Sequence, residues 1–187
     1  GGGGGGGGGS GQHEGVSTSA AGIRSMLKKM WPQAYTVVLV YAVTLSIFPG
    51  FLAEDVSSAA LGDWYPVVLI TAFNLADVVG KMGPGWFPAL IDLMSPGRLA
   101  LLATLRLLFI PAFLLLTKGP PALRTELPCV ALTLALGLTS GWYSAVAMMV
   151  APKMVEPHEA ESCGTVMVFF LLIGLVIGAL CGWLWLL

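Results

Sequence analysis

Five apolar stretches, near residues 34–52, 64–82, 99–117, 127–150 and 163–187, leave few folds open to this chain. Each is about as long as the roughly 20-residue helix that crosses a hydrocarbon core. Inside such a core no water reaches the backbone, so a spanning segment closes its own hydrogen bonds as a helix or pairs within a closed barrel. Continuous apolar runs of this length, without strict alternation, read as helices. With 56% apolar and only 10% charged residues, the chain is far from a soluble domain, in which about a quarter are charged. The expected fold is all-α: a polytopic transmembrane helix bundle, integral to the membrane.

The formal net charge of -1 gives no basic field for nucleic acid. Cys129, Cys163 and Cys181 lie scattered in apolar sequence without CxxC spacing, so they read as small buried residues. His158-Glu159-Ala160-Glu161 has metal-binding residue types but no HExxH spacing or second cluster, and reads as a solvated loop capping the last helix. No GxSxG or GxxxxGK[ST] motif occurs, and GxGxxG is met only trivially by the polyglycine Gly1–Gly9, which lacks a following strand or helix in the right place to cradle phosphate. Neither an enzyme, a metal site nor a cofactor is expected.

The chain opens on Gly1–Gly9 and stays polar to Met30, so residues 1–30 are expected to form a flexible loop segment and 31–187 the transmembrane part. That opening reads as the tail of a longer loop, or as an artefact of gene prediction. Arg24, Lys28, Lys29, Arg98 and Lys153 fall on one side of the five spans, and Lys118 and Arg124 on the other. Five basic residues against two favour a cytoplasmic start and an external end for this chain. Pro49, at the close of the first span, favours a kink or a helix end, and Gly83-Pro84-Gly85 reads as a breaker closing the second.

Within the second span, Asn74, Asp77 and Lys81 recur at i, i+3 and i+7, on one stripe of a helix. A centrally placed Asp or Lys costs about 2.5–3.5 kcal/mol even on lenient insertion scales, so such residues usually face a protein interior or an aqueous path. The stripe is able to hold a hydroxylated solute; the plainer alternative is a neutralised helix contact, with Lys81 snorkelling to a headgroup. Arg106 in the third span is either a partner for a carboxylate on another helix or a snorkelling side chain. Thr139-Ser140-Gly141-Trp142-Tyr143 gathers small and hydroxyl residues suited to close helix packing, and Gly174, Gly178 and Gly182 form a groove along the last span. Polar sites on Gly- and Pro-interrupted helices suit a secondary transporter, and the absence of an ATP motif leaves a passive or ion-coupled drive.

Four segments together carry a family resemblance: Phe48-Pro49; Phe73-Asn74-x-x-Asp77-x-x-Gly80-Lys81; Arg106-Leu107-x-Phe109-x-Pro111; and Pro152-Lys153-x-Val155-x-Pro157-x-Glu159-Ala160-Glu161-x-x-Gly164 followed by Phe169-Phe170. From about Trp31 onwards the chain resembles the C-terminal part of the equilibrative nucleoside transporters. The resemblance implies helices seven to eleven of an eleven-helix, major-facilitator-like bundle, moving nucleosides or nucleobases by alternating access without ATP. It implies a plasma-membrane protein whose N-terminal six-helix part is the partner of this one. Asp77 would accept hydrogen bonds from ribose hydroxyls and Lys81 would donate, with Asn74 nearby. Lys81 stands where the family commonly has Arg, and the two differ in donor geometry. Phe48 would line an outer gate, and Glu159 or Glu161 with Lys153 an inner one. The alternative is a non-transporting membrane fragment that acts only as a packing subunit.

Overall fold

A computed structural model describes residues 20–53, 62, 64–118 and 126–183. Five of its helical segments are long and apolar enough to cross a membrane, and the protein is an integral multi-pass membrane protein. The elements are α1 (Ala20–Ala53), α2 (Tyr65–Trp86), the short α3 (Pro88–Leu93), α4 (Pro96–Leu105), α5 (Phe109–Lys118), α6 (Glu126–Val150) and α7 (Ala160–Gly182). The third crossing is the composite α4–α5, joined by a 3-10 turn at Arg106–Leu108. Two further 3-10 turns, Ala151–Met154 and Pro157–Glu159, link α6 to α7.

Several boundaries differ from the sequence expectation. The first helix begins at Ala20, a turn-rich distance before residue 34, and runs through Pro49 to Ala53. Pro49 lies in its last turns and brings no N–H for the Leu45 carbonyl, so one intrahelical hydrogen bond is missing there. The second helix likewise passes through Gly83-Pro84-Gly85 and ends at Trp86. A Cβ at Gly83 would overlap the Trp142 ring, so the glycine and the buried Pro84 form a close-packed face against α6 rather than a stop. In the third span, Pro111 has no N–H for the Leu107 carbonyl, and the preceding turn tightens to 3-10. Beyond Trp183 the last span lies outside the described residues.

The helices pack chiefly in two pairs, α1 on α7 and α2 on α6. Both pairs are made by glycine. A Cβ at Gly174 would lie 2.7 Å from the Val38 carbonyl oxygen, and one at Gly178 2.7 Å from the Leu45 Cβ. The groove expected along α7 is therefore filled by α1. Between bilayer-immersed helices, association rests on such close van der Waals contact, because lipid is as apolar as a side chain.

The core divides by depth. One cluster holds Met30, Ala34, Val37, Leu99, Val146, Cys163 and Met167. The other holds Val43, Ile47, Leu69, Phe113, Cys129 and Leu136. Along α4–α5 and α6, buried Arg106, Ser140 and Ser144 fall between the two clusters, and on α1 buried Thr44 sits beside Val43 in the second cluster. Outward, α2 and α7 expose Val67, Leu75, Val78, Phe169, Leu172 and Val176, a surface suited to lipid or to further helices.

At the α6–α7 end, Glu156 and Glu159 form a reciprocal capping box on the 3-10 turn Pro157–Glu159, whereas α7, expected to be capped by this segment, has Glu159 at its N-cap position without a side-chain cap hydrogen bond. Lys29 reaches Glu156 at 3.8 Å, both side chains being well exposed. Exposed pairs contribute little, so Lys29→Ala is expected to change the stability of the purified protein by less than about 1 kcal/mol. A thermal-melting comparison in detergent checks this.

Candidate functional site

The site is built on α2 and held in place by α6. Ala76 and Gly80 on α2 meet Gly137 and Gly141 on α6, two small-xxx-small pairs facing one another. A Cβ at Gly141 would collide with the Asp77 carbonyl oxygen and lie 2.8 Å from the Lys81 nitrogen. A Cβ at Gly137 would lie 2.6 Å from the Phe73 carbonyl oxygen and 3.3 Å from the Asp77 nitrogen. The backbone carrying the two charged residues is thus seated directly on α6.

On that seat Lys81 donates to Asp77 across one helical turn at 2.5 Å. The Asp77 side chain is 16% exposed and that of Lys81 47%. The carboxylate is therefore tucked in while the ammonium, on its flexible stem, reaches an open face. Asn74 is exposed and turns its amide back to the Ile70 carbonyl at 2.8 Å, so it stands on the stripe without joining the pair. Helical spacing in the sequence placed the pair correctly on one face.

Arg106 corrects both sequence readings. It is 2% exposed, so it does not snorkel. Among the described residues it forms no ion pair with a carboxylate within 4.0 Å. Instead Nη1 donates to Thr139 Oγ1 at 2.7 Å and Nη2 to Thr44 Oγ1 at 3.0 Å. The guanidinium also lies 5.9 Å from the centre of the Phe109 ring. Hydroxyls three or four residues from a helix carbonyl are common in spans, and nothing in sequence marks Thr44 as the one that meets an arginine 62 positions away.

Of the residues expected at gates, Phe48 stacks on Phe73 of α2, with ring centres 4.5 Å apart and planes 35° from parallel. Lys153 and Glu161 are exposed, and neither forms an ion pair among the described residues. Glu159 is spent on the backbone nitrogen of Glu156 at 3.4 Å. The cross-element ion pair at this end joins Lys29 to Glu156, which sequence reading did not single out.

Comparison with known proteins identifies the family. The profile of the family described as "Nucleoside transporter" matches residues 9–187. The chain belongs to the nucleoside transporter family. It is 47% identical over 159 residues to Equilibrative nucleotide transporter 8 of Arabidopsis thaliana, covering 85% of this chain and 40% of that protein. It is 42% identical over 160 residues to Equilibrative nucleotide transporter 1 of the same plant, covering 86% and 35%. Equilibrative nucleoside transporter 4 of Homo sapiens is 34% identical over 154 residues, covering 80% and 28%. This nucleoside transporter chain thus spans well under half the length of these relatives, and the matched range takes in every residue of the site.

Proposed function

We propose that this chain forms the C-terminal part of a transporter that moves nucleosides or nucleobases across a membrane by alternating access, without ATP, as a facilitator or coupled to protons. The observation that carries the reading is the Asp77–Lys81 pair within the second membrane span, one side chain inward and the other at an open face. An intramembrane ion pair of this kind marks a solute path by default. Asp77 accepts hydrogen bonds from the sugar hydroxyls, Lys81 donates to them, and Asn74 stands one turn away. The open face of α2 meets the N-terminal helices of the same transporter, which complete the site. Phe48, on its stack with Phe73, belongs to the outer gate. Lys153, Glu159 and Glu161 lie toward the inner one, together with the Lys29–Glu156 contact.

The membrane is the plasma membrane, with the start of this chain cytoplasmic and its end external. Uptake of labelled uridine and adenosine by the full-length protein in nucleoside-transport-deficient cells tests the reading. Saturable uptake is expected. Its absence despite surface expression would point to another solute, and uptake only in isolated organelles to another membrane.

A further inference from the structure

Glycine locks the helices within each pair but not between the pairs. Gly174 and Gly178 seat α7 on the backbone of α1, and Gly137 and Gly141 seat α6 on that of α2. The two pairs meet along α1 and α6, and the third crossing lies against both. Among the described glycines, none meets backbone across that seam. At mid-depth the seam is closed by side-chain ends instead. Arg106 stands at the centre of the third crossing, Pro96–Leu116. Its Nη2 donates to Thr44 of α1 and its Nη1 to Thr139 of α6, so one guanidinium holds a member of each pair. Thr44 and Thr139 donate their own protons to the Val40 and Ala135 carbonyls, both at 2.7 Å, which leaves lone pairs for the guanidinium. Thr44 Oγ1 also lies 3.4 Å from Ser140 Oγ of α6.

The backbone that carries Arg106 is itself weakened. Arg106–Leu108 is a 3-10 turn in which Arg106 is buried while Leu107 and Leu108 are exposed. Pro111 lacks the N–H that the Leu107 carbonyl would accept, and helices bend at such places. Among the described residues, Arg106 Nε is buried without a hydrogen-bond partner. A guanidinium with a donor to spare can trade one hydroxyl for another without leaving its charge unsolvated. Backbone seated on glycine has no such slack, because close-packed faces shift between discrete arrangements rather than deform. We propose that the seam between the two glycine-locked pairs opens and closes during transport, with Arg106 as its clasp and the 3-10 turn as its hinge. The inference rests on the reading of this chain as part of an alternating-access transporter, and adds to it a movement inside the C-terminal part.

Thr44→Cys/Ser140→Cys in the full-length protein puts two thiols across the seam, where the hydroxyls lie 3.4 Å apart. Oxidation with copper phenanthroline is expected to cut uridine uptake roughly tenfold or more, and dithiothreitol to restore it. Undiminished uptake by protein that mass spectrometry shows to be cross-linked would overturn the proposal. If the reduced double variant carries nothing, or no cross-link forms, Ser140→Cys alone decides. Ser140 is buried, so alkylation of the new thiol by N-ethylmaleimide, followed on the peptide that carries it, is expected to quicken roughly threefold or more with uridine. It should be fast without uridine once Arg106→Met is added, or Thr44→Val/Thr139→Val where the arginine variant does not reach the membrane. One labelling rate in all three conditions would mean a static seam and overturn the proposal. A parent protein that takes up no uridine fails the transporter reading itself; uptake by the parent with an indifferent seam fails only this inference.

Discussion

Asp77→Ala is expected to lower uridine uptake by roughly a hundredfold or more while the protein still reaches the membrane. A hydrogen bond to a charged group is worth about 1.5–3 kcal/mol, and two sugar hydroxyls on one carboxylate make two of them. The substitution also leaves the Lys81 ammonium without its bonded partner inside the span. Folding should survive, because the seat of α2 on α6 is made by backbone and glycine rather than by the Asp77 side chain. Asp77→Asn keeps the shape and removes the charge, and should lose nearly as much. Surface biotinylation alongside uptake is the measurement. Normal uptake by a surface-expressed Asp77→Ala protein would take Asp77 out of the site.

Gly141→Ala is expected to be the most damaging glycine-to-alanine change among the described glycines. Its Cβ would occupy the space of the Asp77 carbonyl oxygen, with the Lys81 nitrogen 2.8 Å away. Neither obstacle is a flexible side-chain end, so relief comes only by parting α2 from α6. Overpacking of this kind costs about 1–3 kcal/mol, and it moves the two charged residues together with their helix. Lower thermal stability in detergent and at least a tenfold loss of uptake should therefore appear together. Gly164→Ala is the control: a Cβ there meets nothing within 4 Å, and both readouts should stay near those of the parent. Equal tolerance at the two positions would mean that the α2–α6 contact is looser than the structure has it.

The contrast between these glycines shows where sequence reading stopped. The spacing of Gly174, Gly178 and Gly182 was enough to expect a packing groove on the last helix, and α1 does fill it at the first two positions. Gly137 and Gly141 carry the same four-residue spacing, yet their importance comes from what lies opposite: the backbone of Asp77 and Lys81. The Gly83-Pro84-Gly85 segment shows the reverse case. Its residue types favour a stop, but the Trp142 ring packed on Gly83 keeps it helical as far as Trp86.

What the sequence determined by itself is what the bilayer imposes on every residue of a span. The solvent excludes unsatisfied backbone and lone charges, so the helical class, the five crossings and the exceptional standing of Asp77, Lys81 and Arg106 are written locally in hydropathy and spacing. An i,i+4 pair is likewise local, and the Asp77–Lys81 contact followed from helical geometry alone. The tertiary structure decided which helix meets which. It gave Arg106 two threonines instead of a carboxylate, set Phe48 against Phe73, and brought Lys29 to Glu156. Those contacts join residues 25 to 127 positions apart. They depend on how whole helices tilt and rotate on one another, which no window of neighbouring residues records.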